Sequence, residues 1–150
     1  ACAVLNQVMD SRCTEQLRER LGGTYSISVT ARISREPKEE VAMMFNFSTN
    51  PEQADTLLAS ALDLLRDIAS NGITTEEFAR AQNNLQKQHA EYRNANAFWL
   101  SAISERVRHD SSDMLEYEKA LKQVKPADVK KLARLLSKST NTVEVIMDGI

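Results

Sequence analysis

The sequence of 150 residues has little of several residue types, and each shortage limits what the chain can be. Glycine (4) and proline (3) are scarce, and no low-complexity tract occurs. Because 42% of the residues are apolar, the chain can bury a hydrophobic core, which argues against disorder. No apolar run approaches the roughly 18 residues of a membrane span, so we expect none. The net charge of −2 lacks the basic excess that nucleic-acid binding requires. The composition indicates one globular domain, or a large piece of one.

The two cysteines lie in the N-terminal segment, where apolar residues recur at helical spacing. Cys2 and Cys13 stand eleven positions apart. At about 1.5 Å per residue a helix separates them by about 16 Å, a distance that no disulfide spans. We expect two small buried side chains, and they indicate nothing about a redox compartment.

The first third of the chain changes from a helical period to a strand period. Apolar residues recur at helical spacing from Val4 to Leu21, and Gly22-Gly23 ends that pattern because glycine adopts the left-handed conformation of a helix end. Apolar and polar residues then alternate over 25–34 and again over 41–48. This alternation predicts two strands, each with one buried face, in an antiparallel hairpin.

Capping and periodicity signals predict helices after the hairpin. Asn50-Pro51 and the capping box of Thr74 to Glu77 begin the first two, and Lys125 to Asp128 begins the last. Asn94-Ala95-Asn96 either break or bend the second helix, after which Phe98, Trp99, Ile103 and Val107 resume its pattern. A helix capped by Ser111-Ser112 is predicted to carry Leu115, Leu121 and Val124. The alternating residues Val143, Val145 and Met147 predict a last strand over 141–147. This order predicts an α+β fold, an antiparallel sheet with helices packed on one face.

No motif indicates self-contained catalysis. His89 and His109 occur in neither HxxEH nor HExxH spacing, and we interpret both as surface residues. A weak metal site of His109 with Asp110 and Asp113 is an alternative, although a polar turn between helices explains these residues as well. The sequence also lacks GxSxG and a glycine-rich phosphate loop. The chain alone is therefore predicted to be inactive.

The segment 17–26, Leu-Arg-Glu-Arg-Leu-Gly-Gly-Thr-Tyr-Ser, stands out from the rest. Arg18 falls in the last turn of the predicted helix and Tyr25 opens the predicted strand. Both side chains are hydrogen-bond donors of the kind that bind a peptide carbonyl or stabilise an oxyanion. The alternative is structural, with Arg18 capping the helix end and Tyr25 packing half-buried.

This segment resembles the Leu-Arg-Glu-x-x-Gly-x-x-Tyr-Ser stretch in the C-terminal domain of the insulinase/pitrilysin family of zinc metallopeptidases. The resemblance extends in the family's order over nearly the whole chain. It includes Phe45-Asn46-Phe47 followed by Pro51, the run from Asn71 to Phe78, and the run from Val124 to Val129.

The resemblance implies a protein of two halves that enclose a chamber, each half contributing different residues to the active site. One half binds zinc through HxxEH and a downstream Glu, and those ligands are absent from this sequence. The other half supplies an Arg and a Tyr, which match Arg18 and Tyr25. Arg18 is then expected to bind a backbone carbonyl of the substrate, and Tyr25 to donate to the scissile carbonyl and its oxyanion, opposite the metal.

On this resemblance, residues 1–150 are expected to form the zinc-free, substrate-binding domain of a zinc metalloendopeptidase. Its expected partners are a peptide or protein substrate and the zinc-bearing half, on the same chain or another. A full family domain begins with a strand that this sequence lacks, so a fragment of a longer chain is expected, with an open sheet edge. By analogy, strand edges near Val29 and Ile33 would pair with an extended peptide.

Two other functions compete with this one. The first is a structural or assembly module of a catalytically inactive relative, and an HxxEH motif elsewhere in the protein would decide against it. The second is an unrelated α+β binding domain, which requires the ordered matches to be coincidental. For a bacterial protein the family favours the periplasm or cell envelope, and the sequence itself does not determine the compartment.

Overall fold

A helix, a β-hairpin and a series of further helices follow one another along residues 1–147, the part of the chain that this computed structural model describes. The α-helices are Cys2–Cys13 (α1), Ala54–Asn71 (α2), Thr75–Tyr92 (α3), Asn96–His109 (α4), Tyr117–Gln123 (α5) and Pro126–Ser137 (α6). The strands are Ile27–Ser34 (β1) and Glu40–Phe47 (β2). The π-helical segment Thr14–Arg20 follows α1, and the 3-10 turn Pro51–Gln53 precedes α2. This arrangement confirms the predicted α+β class.

The two strands form the antiparallel hairpin that the alternation predicts. Ile27 lies opposite Phe47 at one end of the ladder, and Ser34 lies opposite Glu40 at the other. The apolar side chains of one face pack against the helical core, and they are Ile27, Met43, Phe45 and Phe47 together with the buried Val29. The strand period therefore selects the buried face correctly except at Ile33, which is 57% exposed at the far end of β1.

The core lies between α1, the hairpin and the helices α2, α3 and α6. α1 occupies its centre, because five apolar side chains of the N-terminal segment are wholly excluded from solvent. They are Val4, Leu5, Met9, Cys13 and Leu17. Cys13 is buried as expected, whereas Cys2 is only partly buried. Burial raises the pKa of the Cys13 thiol to about 12, so this thiol stays protonated near neutral pH. Both cysteines are free.

Two side chains of α1 bind the edge of β1 that faces away from β2. The Oδ1 atom of Asn6 accepts a hydrogen bond of 2.7 Å from the amide of Ala31, and Oδ1 of Asp10 accepts one of 3.1 Å from the amide of Val29. These amides are therefore unavailable to an added strand, and the expected pairing of a peptide near Val29 is wrong for that position.

An arginine joins α1 to the two helices that follow the hairpin. Arg12 binds both carboxylate oxygens of Glu77 on α3, through Nε at 2.7 Å and Nη2 at 3.0 Å. Its Nη1 atom lies 2.6 Å from Oδ2 of Asp67 on α2. The Arg12 hydrogen bond is the largest cause of the lowered pKa of Glu77, whereas the pKa of Asp67 is lowered first by Asn71 and then by Arg12.

Two of the capping signals form as predicted, whereas Asn50 makes no capping hydrogen bond and a 3-10 turn over Pro51–Gln53 precedes α2. Thr74 and Glu77 form the reciprocal capping box, with the Thr74 hydroxyl accepting from the Glu77 amide at 3.1 Å and the Glu77 carboxylate accepting from the Thr74 amide at 2.7 Å. The Asp128 carboxylate accepts from the Lys125 amide at the start of α6. Each of these two signals satisfies amides that a helix leaves free at its first turn.

The predicted last strand is not formed. Residues 141–147 have no regular secondary structure, and Val143, Val145 and Met147 are 86%, 77% and 91% exposed. A strand needs a neighbour for its backbone groups, and within residues 1–147 the sheet consists of β1 and β2 alone. The alternation is present, but the described chain offers this segment no partner.

Two further expectations about helices differ from the structure in the second half of the chain. α5 begins at Tyr117 without a cap from Ser111-Ser112, because the Ser111 hydroxyl accepts from the Asp113 amide inside the preceding turn. In α4, Phe98 points inward, and the other apolar residues of the predicted stripe are exposed. They are Trp99, Ile103 and Val107.

His89 is buried, contrary to its interpretation as a surface residue. It is 8% exposed, its ring stacks on Tyr117, and its edge meets Phe98. Its Nδ1 lies 3.3 Å from the Glu118 carboxylate, and its Nε2 lies 3.1 Å from the carbonyl oxygen of Met114. The polar surroundings on α5 and the loop before it satisfy this histidine, and they form only when the chain folds back on α3.

Among residues 1–147, none of the helices is both long enough and apolar enough to cross a bilayer.

Candidate functional site

Arg18 lies on the π-helical segment that continues α1, in its last turn. The wider turn is seen in the hydrogen bond of 3.0 Å from the Leu21 amide to the Gln16 carbonyl oxygen. Leu17 is wholly buried, and its neighbour Arg18 is exposed. Within residues 1–147 the Arg18 guanidinium forms no hydrogen bond or ion pair, so the alternative of a helix-capping arginine finds no support. π-helical turns are rare and often occur at functional sites.

The two glycines turn the chain from this helical segment toward β1. Gly22 has a φ of +59°, the left-handed conformation expected after a helix. The Gly23 amide donates to the Leu17 carbonyl oxygen at 3.1 Å. Gly23 also packs directly on α2, where a Cβ atom would lie 2.7 Å from the side chain of Leu57. A side chain at residue 23 would therefore have to displace Leu57.

Two threonines fasten the turn to the end of the hairpin. The Thr49 hydroxyl donates to the Gly23 carbonyl oxygen at 2.6 Å. The Thr24 hydroxyl lies 2.7 Å from the carbonyl oxygens of both Ser26 and Ser48. Thr24 is itself only 7% exposed. The backbone on either side of residue 25 is thus held by buried or half-buried groups.

Tyr25 projects from this fastened segment into solvent. Its side chain is 88% exposed, so the alternative of a half-buried packing residue is wrong. It stands two residues before β1, which begins at Ile27, rather than opening the strand. Arg18 and Tyr25 therefore lie on either side of one glycine turn, both exposed, and no hydrogen bond joins them among the described residues.

A shallow polar groove runs along the exposed side of α1 and the π-helical segment. Its volume is about 410 Å³. The residues that line it are Gln7, Asp10, Ser11, Thr14, Glu15 and Glu19. Neither Arg18 nor Tyr25 borders this groove. Glu15 is paired with Arg20, and Asp10 binds the Val29 amide, so two of its carboxylates already have partners.

Residues 1–147 do not bring together a set of side chains that fits a zinc ion. In the described part of the chain, no three His, Cys, Asp or Glu side chains are grouped to hold a metal. The considered set of His109, Asp110 and Asp113 is not assembled as a site, because Asp113 pairs with Arg35 and His109 lies 3.7 Å from Glu36. Zinc binding requires three or four ligands around one point, which the fold does not bring together here.

The sequence predicted the two exposed donors, Arg18 and Tyr25, but not the threonines that hold the backbone on either side of Tyr25. Thr24 and Thr49 carry no motif, and their hydroxyls meet backbone carbonyls only because the hairpin end lies against the glycine turn. One signal was available for Gly23, since a second glycine after a helix end often marks a close backbone approach.

Comparison with known proteins identifies relatives that share this fold. A family described as the peptidase M16 inactive domain matches residues 1–85. The chain is 29% identical over 101 residues to the chloroplastic stromal processing peptidase of Pisum sativum, covering 67% of this chain and 8% of that protein. It is 26% identical over 130 residues to the probable zinc protease PqqL of Escherichia coli K12, covering 84% of this chain and 14% of that protein.

Solved structures agree with the sequence matches. The crystal structure of the periplasmic protease PqqL aligns over 87% of this chain and 15% of its own, with a TM-score of 0.71 and 21% identity. A peptidase M16 inactive domain from Pseudomonas fluorescens aligns over 89% of this chain and 33% of its own, with a TM-score of 0.73 and 18% identity. These likenesses establish the fold, and the chain spans well under half of each relative's length.

Proposed function

The chain belongs to the peptidase M16 inactive domain family, and we propose that it contributes Arg18 and Tyr25 to the peptide-hydrolysis site of a zinc metalloendopeptidase. The zinc belongs, in this proposal, to a partner half on the same polypeptide or another chain. The observation that carries the proposal is Tyr25, an 88% exposed side chain on a backbone fastened on both sides.

Tyr25 is suited to donate a hydrogen bond to a substrate carbonyl. Its hydroxyl has no partner among residues 1–147, so donation to a ligand breaks no internal bond. The carbonyl oxygen gains negative charge when the carbonyl carbon becomes tetrahedral, and a fixed donor then binds it more strongly than in the ground state. A chamber closed by a second half would exclude water from this bond and increase its strength.

Arg18 is suited to bind a second carbonyl along an extended peptide. Its guanidinium is exposed, and unlike its neighbour Arg20 it has no carboxylate partner in the described chain. Several N–H groups in one plane favour carbonyl recognition over a wide range of substrate sequences. Arg18 would therefore affect mainly the binding and alignment of the substrate, whereas Tyr25 would act at the reacting carbonyl.

The whole protein is proposed to be longer than this domain. The relatives are several times its length, and residues 141–147 alternate like a strand but lack a partner among residues 1–147. We propose that a further strand of the protein pairs with them and completes the sheet. The periplasmic location of the relative PqqL supports a cell-envelope location if the protein is bacterial.

The competing function is a scaffold in a catalytically inactive relative. The fastened but solvent-exposed Tyr25 favours the active function, since a scaffold gains nothing from a phenol held in water. A scaffold would tolerate the loss of either donor.

The test is Tyr25→Phe in the intact protein with its zinc-bearing half, assayed on a broad peptide panel. Phenylalanine keeps the ring and removes the hydroxyl, so we expect kcat to fall about tenfold to a hundredfold with KM little changed. Tyr92→Phe is the matched control, because Tyr92 is half as exposed and packs on Phe98.

Two outcomes contradict the proposal. Wild-type kcat in the Tyr25→Phe protein would make Tyr25 a surface residue without a catalytic role. An intact, zinc-loaded wild-type protein that cleaves nothing in the panel would favour the scaffold. Arg18→Gln provides an independent arm, for which we expect a rise in KM.

A further inference from the structure

We propose that Thr24 is a positioning residue for Tyr25, fixing the backbone from which the exposed phenol projects. The inference rests on the proposed function of Tyr25, and Thr24 itself touches no substrate. Its role would be to hold the donor in one place while leaving the donor's side chain free.

The Thr24 hydroxyl closes the open end of the hairpin. The last pair of the ladder is Ile27 with Phe47, so Ser26 and Ser48 are the next residues outward. Their carbonyl oxygens both lie 2.7 Å from Oγ1 of Thr24. The hydroxyl shares its one proton between these two acceptors, and the hydrogen bond to Ser48 connects the two strands beyond the last backbone pair.

The other side of Tyr25 is held independently. The Gly23 carbonyl oxygen accepts from the Thr49 hydroxyl at 2.6 Å, and Gly23 itself rests against Leu57 of α2. Tyr25 thus has a fixed residue two positions before it and a fixed residue directly after it. Its own side chain contributes little to this order, since it is 88% exposed.

A donor that acts on a developing charge must be in place before the reaction, and small displacements reduce the rate strongly. Tyr25 cannot be held by packing of its own ring, because the ring is in solvent. The order must come from the backbone, and Thr24 is the buried polar side chain nearest to it. Loss of the Thr24 hydroxyl should therefore reduce kcat even in protein that remains folded.

The experiment compares Thr24→Val with Thr24→Ser in the intact protein with its zinc-bearing half. Valine keeps the shape and removes the donor, whereas serine keeps the donor. We expect kcat to fall about tenfold with valine at little changed KM, and serine to stay within about twofold of wild type. In the Tyr25→Phe background, Thr24→Val should cause little further loss, because the donor it positions is gone.

A second measurement reports on position without activity. With 3-fluorotyrosine at residue 25, we expect the fluorine resonance of the Thr24→Val protein to show faster motion than wild type, and serine to restore it. Wild-type kcat or an unchanged resonance in folded Thr24→Val protein would overturn the proposal. If valine prevents folding, Thr24→Ala removes the same hydroxyl with a smaller side chain, and the same two readouts decide.

The two proposals fail separately. A fall in kcat for Tyr25→Phe with wild-type kcat for Thr24→Val rejects only the positioning role. Wild-type kcat for Tyr25→Phe rejects the proposed function of Tyr25 itself and with it the positioning role.

Discussion

At residue 23 the chain passes so close to α2 that an added side chain would have to displace Leu57. A Cβ atom there would lie 2.7 Å from Cδ2 of Leu57, which is 1% exposed and has little room to move. Gly22 differs, because open space surrounds it and its requirement is the left-handed φ of +59°. The two adjacent glycines are needed for different physical reasons, one steric and one conformational.

Gly23→Ala is expected to destabilise the chain by about 1–3 kcal/mol, because the added methyl overpacks a buried contact. Urea unfolding followed by circular dichroism measures the free energy of unfolding. Combining Gly23→Ala with Leu57→Ala should cost less than the sum of the single changes, since the shortened side chain makes room. Additive costs would show that the contact with Leu57 is not the source of the loss.

At the scale of elements, polar side chains fix the position of α1 against the hairpin and the helices α2 and α3. Asn6 and Asp10 bind β1, and Arg12 binds α2 and α3, so one helix is tied to three neighbours by hydrogen bonds in addition to its buried stripe. The helical period predicts the stripe. It does not predict these partners, which are 19 to 65 residues away in the sequence.

Arg12→Met is expected to lower the free energy of unfolding by about 1–3 kcal/mol, because two carboxylates lose charge-assisted hydrogen bonds at a site where the arginine is only 18% exposed. Arg66→Met is the matched control. Its partner Asp63 forms an exposed pair, and a change within about 0.5 kcal/mol is expected there.

The same variant should change the pH dependence of stability. The pKa values of Glu77 and Asp67 are lowered in the folded state, so their contribution is present above the unfolded pKa values of about 4 and is lost as the pH falls through the folded values. Between pH 5 and 2, wild type should therefore lose more stability than Arg12→Met. Parallel curves in acid urea titrations would contradict this assignment.

At the scale of the whole molecule, the sheet is the incomplete part. Two strands with one apolar face make a small sheet, and the alternating residues 141–147 stay outside it. α4 likewise turns Trp99, Ile103 and Val107 to solvent. The strand that we propose for the longer protein would pair with residues 141–147.

Val143→Ser combined with Val145→Ser is expected to change the stability of the 150-residue chain by no more than about 0.5 kcal/mol, because both side chains are largely exposed. In the intact protein, where we propose a paired strand, the same change should be clearly destabilising. Val29→Ser is the control for a buried strand valine, with an expected loss of more than 1 kcal/mol in both. A large loss in the 150-residue chain would show that 141–147 pairs within it.

Much of the secondary structure could be predicted from the sequence, because it depends on interactions between residues close together in the chain. The apolar stripe of α1, the alternation of the hairpin and the capping boxes depend on residues within a few positions of one another, and each predicted its element. The resemblance carried by Arg18, Gly22 and Tyr25 gave the family, because it rests on an ordered set of residue types. Those signals need no knowledge of what the chain folds against.

Tertiary structure decided the rest, because it depends on which distant segments meet. The exposure of Tyr25, the burial of His89 and the unpaired state of 141–147 each follow from the presence or absence of a neighbour. Thr24 is the clearest case. In the sequence it is one threonine after two glycines, and only contact with Ser48, 24 residues on, turns its hydroxyl into a tie across the end of the hairpin.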